Sequence, residues 1–162
     1  NIDPFAASDD AAPERFGAKD VQDLSWIQLM NAYSCTECGR CSSVCPANQT
    51  GKLLSPRKIM MDTRDRIEEI GKLKDKKDNK SLLGDYITKE ELWACTTCNA
   101  CTDACPINLD PLSIIVDLRR YLVMEESAAP TELNNMFSNV ENNGAPWQFP
   151  AADRLKWLDE NN

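Results

Sequence analysis

Cys35-Thr-Glu-Cys38-Gly-Arg-Cys41-Ser-Ser-Val-Cys45-Pro46 recurs with identical spacing as Cys95-Thr-Thr-Cys98-Asn-Ala-Cys101-Thr-Asp-Ala-Cys105-Pro106. Both runs read C-x2-C-x2-C-x3-C-P, and together they use all eight cysteines of the chain. Bacterial chains hold [4Fe–4S] clusters with this spacing. Three cysteines at two-residue gaps let one tight loop aim three thiolates at three corners of a cube. The fourth, three residues further on, has turned onto the next element and faces away from that cube. The proline after it lacks an N–H and fixes its own φ, which helps redirect the chain. With two copies, each fourth cysteine can complete the other copy's cluster. The expected ligands of one cluster are therefore Cys35, Cys38, Cys41 and Cys105, and those of a second are Cys95, Cys98, Cys101 and Cys45.

Two rival uses of eight cysteines fit the spacing less well. Structural zinc takes four cysteines as two separated C-x2-C pairs rather than as one close run. A disulfide scaffold suits a short secreted chain with a poor core, and the spacing within each run is too regular for it. The chain has no histidine, which excludes Ser–His and Cys–His catalysis and any histidine metal site. No phosphate-binding loop or dinucleotide fingerprint appears. With the cysteines all committed, no catalytic residue is expected.

The repeat extends beyond the cysteines. Tyr33 and Trp93 stand two residues before the runs, and Gly39 and Asn99, which tolerate positive φ, occupy equivalent places within them. Pro56-Arg-Lys-Ile59-Met-Met-Asp62-Thr-Arg64 matches Pro111-Leu-Ser-Ile114-Ile-Val-Asp117-Leu-Arg119. Both matched segments predict helices, with Ser55 or Asp110 as N-cap and proline at the first helical position. The first is expected to stop at Gly71. In the second, Leu112, Ile115, Leu118 and Leu122 form a stripe at helical spacing. A helix from Val21 to Tyr33, with Leu24, Ile27, Met30 and Tyr33 on one face, precedes the first run. A short one opening at Thr88, with Glu91 as its capping-box partner, precedes the second.

No segment alternates as a strand, and 49 residues separate Cys45 from Cys95, room for a helix, a loop and another helix. Ferredoxins built on β-hairpins have much shorter gaps. The fold class is therefore all-α, an alpha-helical ferredoxin with two pseudo-symmetric cluster-binding repeats. Residues 1–19, rich in Asp, Ala and Pro, read as a linker, 20–126 as the ferredoxin domain, and 127–162 as a helical tail. The tail carries Leu133, Met136, Phe137 and Val140 on one helix ending near Gly144. Trp147, Phe149, Leu155, Trp157 and Leu158 follow; the tail's apolar residues either pack back on the cluster core or, as a partner-docking segment, bury the aromatics against another subunit. The chain begins at Asn1, so it reads as processed or as a piece of a longer polypeptide.

Net charge is −8 and the pI about 4.6, the wrong balance for displacing phosphate counterions, so nucleic acid is not expected as a partner. Lys72 to Lys80, broken by Asp75 and Asp78, reads as a solvated loop. Charged residues at 27% and a mean hydropathy of −0.48 leave no apolar run long enough to cross a bilayer.

Cys35-Thr-Glu-Cys38-Gly-Arg-Cys41 with its Cys-Pro, then Gly51-Lys-Leu-Leu-Ser55-Pro56, resembles the iron–sulfur region of heterodisulfide reductase-like proteins. These include the iron–sulfur subunit of heterodisulfide reductase itself and the cluster module of membrane-bound Fe–S oxidoreductases associated with electron-transfer flavoprotein. The resemblance covers roughly Phe16 to Trp147. It implies that the eight cysteines are ligands and that the chain passes electrons between a flavin or quinone site and a redox partner. The implied partners are other subunits of an oxidoreductase: a flavoprotein, a CCG-repeat protein or a membrane quinone-binding subunit. The implied place is cytoplasmic, peripheral on or tethered to the membrane. The expected function is one-electron relay within such a complex. The alternative is a structural metal module, zinc or Fe–S, serving as a scaffold without redox turnover.

Overall fold

The computed structural model describes residues 15–73 and 78–159. Among them no β-strand forms, and the chain divides into two compact units, ending at Glu126 and beginning at Ser127. The fold is all-α.

In the first unit the helix expected from Val21 to Tyr33 is interrupted. A 3₁₀ turn, Val21–Asp23, ends at extended Leu24, and α1 (Trp26–Ser34) then starts from a capping box between Ser25 and Gln28. The interruption follows from the caps: Asp20 and Ser25 each accept a backbone N–H, so the chain starts two helices instead of running through. The buried face also differs. Gln28 and Ala32 face the core, whereas Ile27, Met30 and Tyr33 are 50%, 52% and 53% exposed. Helical period alone does not say which side meets the rest of the fold. Here a carboxylate does, since Gln28 Nε2 donates to Asp117 at 2.7 Å.

After the first cysteine run, carrying α2 (Arg40–Ser43) and α3 (Pro46–Gln49), comes α4 (Pro56–Leu73). Ser55 caps it, with Lys58 N–H donating to Ser55 Oγ at 3.4 Å. Gly71 does not stop it. Glycine has no positive φ there and the helix continues to Leu73; a glycine permits a left-handed exit without compelling one. Residues 74–77 of the expected lysine-rich loop lie outside the described residues, as do residues 1–14 of the expected linker.

A turn at Leu82–Tyr86 then buries Leu82, Leu83 and Ile87. Next come α5 (Lys89–Ala94), opened by the Thr88–Glu91 capping box, the second run with α6 (Ala100–Asp103), and α7 (Pro111–Met124). Asp110 caps α7 by accepting from Ser113 N–H at 3.1 Å. Helices α4 and α7 pack on each other and are both contacted by α1. Their buried residues repeat at one offset: Pro56, Ile59, Met60 and Thr63 answer Pro111, Ile114, Ile115 and Leu118. Leu112 is only half-buried, and Tyr121 completes the stripe instead. Each fully buried aliphatic chain contributes about 1.5–3 kcal/mol.

Two features of this unit have no local signature. Residues 15–19, placed in the linker by composition, belong to the fold. Ala18 is buried and donates its N–H to Asp117 O at 3.0 Å. At Gly17, with φ +80, a Cβ would lie 2.4 Å from Asp117 O and from Tyr121 N. Arg66, its side chain 3% exposed, bonds Asp20 at 2.7 Å, reaches Asp78 and Glu69, and donates to Lys80 O. Asp20 also accepts from Leu82 N–H at 3.0 Å, so one carboxylate ties three segments together.

In the second unit α8 (Thr131–Asn143) ends at Gly144, whose φ of +63 forms the left-handed cap. A 3₁₀ turn, Ala151–Leu155, leads into α9 (Lys156–Asp159). Phe137, Val140, Trp147, Phe149, Leu155, Trp157 and Leu158 are exposed.

Candidate functional site

The two cysteine runs adopt one backbone twice. Helices α1 and α5 end at Cys35 and Cys95, whose N–H groups donate to Ala32 O and Leu92 O, and both cysteines are extended. Glu37 and Thr97 then take φ +59 and +55, and Gly39 and Asn99 take +81 and +63. Gly39 O accepts from Ser42 and Ser43; Asn99 O accepts from Thr102 and Asp103. Cys45 N–H donates to Ser42 O, and Cys105 N–H to Thr102 O. Positive φ at Gly39 and Asn99 is as expected from residue type. At Glu37 and Thr97 residue type gives no such signal, and Thr97, being β-branched, is held there against its preference. Strained residues of this kind persist where surrounding structure over-determines them, commonly at functional sites.

The copies diverge after the proline. Pro46 opens α3, whereas Pro106 leads only into a turn.

Each loop surrounds a cavity, and each cavity is closed by the other loop's last cysteine. Cys35, Cys38, Cys41 and Cys105 line one, with Met60, Leu109 and Arg57. Cys95, Cys98, Cys101 and Cys45 line the other, with Leu54, Ile115 and Leu112. Cys101 borders both. All eight thiols are free. Cys38 and Cys98 are exposed and Cys45 and Cys101 buried. Burial pushes the Cys101 thiol up to about 11 and also raises Cys41. Cys98 is lowered, by the Ala100 N–H and then Thr96. A thiolate at Cys101 is thus stable only beside compensating positive charge, such as a metal supplies.

A tetrahedral zinc with Zn–S near 2.3 Å needs its sulfurs within about 4 Å of one another. Among the described residues no three Cys, Asp or Glu side chains converge so as to hold a single ion. Four thiols spread around a cavity match a group that presents a separate iron to each cysteine.

Behind each loop stands an arginine at the same repeat position. On α7, Arg119 donates through Nε to Leu92 O at 3.0 Å and through Nη2 to Cys95 O at 2.6 Å. Its guanidinium carbon lies 4.9 Å from the Trp93 ring centre. On α4, Arg64 pairs instead with the Glu37 carboxylate. The recurrence of both arginines is visible in the sequence, but their attachment to the loops is not.

An all-helical chain that gathers free thiols from two loops into crossed sets has the form of an iron–sulfur protein. Residues 31–109 match the protein-family model described as "4Fe-4S dicluster domain". Over 93% of its length the chain is 34% identical to the "Probable iron-sulfur-binding oxidoreductase FadF" of Bacillus subtilis, covering 26% of that protein. Over 91% it is 34% identical to the "EtfAB:quinone oxidoreductase" of Syntrophomonas wolfei, covering 24%. Over 70% it is 33% identical to a subunit of a heterodisulfide reductase of Methanosarcina acetivorans, covering 60%. The chain therefore spans about a quarter of the first two relatives. It is heterodisulfide reductase-like, and the matched domain with its eight cysteines supports 4Fe–4S clusters.

Proposed function

We propose that the chain relays single electrons through two [4Fe–4S] clusters as the cluster module of a larger oxidoreductase. One is held by Cys35, Cys38, Cys41 and Cys105, the other by Cys95, Cys98, Cys101 and Cys45. The observation that carries this reading is the crossed lining of the two cavities. When bound, each cluster supplies a site that accepts and returns one electron without bond making in a substrate. The chain's own residues do the rest. Loops pinned by Arg64 and Arg119 hold the thiols in place. Leu54, Leu109, Met60 and Ile115 exclude water, and Cys101, bordering both cavities, sets the two sites side by side.

The relative named EtfAB:quinone oxidoreductase supports a relay that ends on a quinone, and the family resemblance implies a flavoprotein on one side and a quinone-binding membrane subunit, or a CCG-repeat protein, on the other. No helix among the described residues is long and apolar enough to cross a membrane, and we place the module peripherally on the cytoplasmic face. The exposed Trp147 and Phe149 of the C-terminal unit suit a docking segment.

The test is iron and sulfide content with low-temperature EPR on anaerobically purified protein, before and after dithionite. About eight irons per chain and two coupled reduced signals are expected. Cys45→Ser should disturb the signal that Cys95→Ser disturbs, and Cys105→Ser that of Cys35→Ser. Stoichiometric zinc with no reducible signal would overturn the relay and leave a structural metal module.

A further inference from the structure

The repeat supplies an internal control, because most positions lining one cavity have an equivalent in the lining of the other. Met60 answers Ile115, Leu109 answers Leu54, Pro111 answers Pro56 and Pro106 answers Pro46. Two positions break the equivalence with a charge on the first cavity's wall, Glu37, which is paired with Arg64, and Arg57. Arg57 lines the first cavity where Leu112 lines the second. The Arg57 guanidinium sits over the loop itself: a Cβ built on Gly39 would be 3.9 Å from its Nη1. The second loop has Asn99 at that position.

We propose that Arg57 makes the two sites electrostatically unequal, so that the cluster of Cys35, Cys38, Cys41 and Cys105 has the higher reduction potential and holds the transferred electron. This rests on the relay proposed above. Taking up one electron converts a cluster's 2+ core to 1+ and makes no bond, so the step adds one negative charge to the site. Positive charge nearby favours that step, and an apolar, buried setting opposes it. The second cavity has Leu112, Ile115 and Leu54 on its wall and includes both buried cysteines, Cys45 and Cys101. The first has Arg57 on its wall, and its own four cysteines are half-buried or exposed.

The other charges do not reverse the order. Arg64 and Arg119 stand at equivalent positions, the first offset by Glu37 and the second paired with no carboxylate among the described residues, which by itself would favour the second site. Against this, the first loop carries Arg40 where the second has Ala100, and the second carries Asp103 where the first has Ser43. Glu37 also lines the first cavity, but its charge is matched by Arg64, which leaves Arg57 as the uncompensated charge on that wall and lets it decide the sign.

The experiment is an EPR-monitored redox titration of the anaerobically purified full chain with dithionite as reductant, for wild type, Arg57→Leu, Arg57→Lys and Leu112→Arg. Cys35→Ser identifies the signal of the first cluster. Wild type should show two separate one-electron midpoints, the higher belonging to that signal. Arg57→Leu should move this midpoint to more negative potential and leave the other in place. Arg57→Lys should largely preserve it, and Leu112→Arg should raise the second. Added salt should narrow the gap in wild type more than in Arg57→Leu, because the guanidinium is exposed and screened. If two reducible signals appear and neither responds to Arg57→Leu, or the responding one belongs to the second cluster, the inference is wrong and the relay stands. If wild type shows no pair of reducible signals, the relay itself fails, and the inference with it.

Discussion

Replacing Arg119 by Met should weaken the fold much more than replacing its repeat-mate Arg64 by Met. Arg119 is half-buried, donates to two backbone carbonyls of the second loop and lies over Trp93. Methionine keeps an apolar stem but no donors. Leu92 O retains the Cys95 N–H at 3.2 Å, so the main loss falls on Cys95 O. A hydrogen bond from a charged donor contributes about 1.5–3 kcal/mol, and a partly desolvated cation over an aromatic ring about 0.5–2 kcal/mol. Together they predict a loss of about 2–5 kcal/mol for Arg119→Met. Arg64 makes a partly exposed ion pair with Glu37, for which about 0–1 kcal/mol is typical. The assay is anaerobic urea unfolding followed by far-UV circular dichroism, beside the rate of iron release to a chelator. With a slope of about 2 kcal/mol/M in urea, Arg119→Met should lower the midpoint by about 1–2.5 M and release part of the iron early. Arg64→Met should stay close to wild type. Equal midpoints for the two variants, or a larger fall for Arg64→Met, would refute the assignment of Arg119 as the brace of the second loop.

Gly17→Ala places a Cβ against the α7 backbone at positive φ and should cost about 2–5 kcal/mol, from overpacking and the left-handed penalty together; thermal unfolding reads it, and an unshifted midpoint would mean that residues 15–19 do not dock. Arg66→Ala leaves Asp20 without its buried partner and should destabilise by about 3–5 kcal/mol, seen as a lower urea midpoint that Arg66→Lys restores only in part. Burial of Glu91 acts against its charge, but Lys58 and the Thr88 groups outweigh it and hold the carboxyl below its usual range. A depressed carboxylate stabilises the fold fully above its unfolded value near 4.3 and loses that contribution as pH falls through the folded value. Wild type should therefore lose more stability than Glu91→Gln as pH falls from about 4.5 to about 3, and parallel losses would show that the carboxylate's charge plays no part.

The features legible in the sequence are those whose partners lie a few residues away. The cysteine spacing, the Thr88–Glu91 and Asp110–Ser113 caps, the left-handed exit at Gly144 and positive φ at Gly39 and Asn99 are each set within one turn of chain. A local rule misled where the residue only permits a conformation, as at Gly71, and where periodicity leaves the buried side open, as along α1.

By itself the sequence determined an all-helical repeat with two thiolate loops of one geometry, because hydrogen bonds at three- and four-residue range and proline's fixed φ act before any packing. Tertiary structure decided the rest. It brought Cys105 to the first loop and Cys45 to the second, turned Gln28 toward Asp117, seated Gly17 on α7, buried Arg66 among Asp20 and Asp78, and put Arg57 on one cavity wall opposite Leu112's place on the other. Those contacts join residues dozens of positions apart. Their energy depends on which faces meet when α4 and α7 pack, and that meeting is a property of the folded core rather than of any segment.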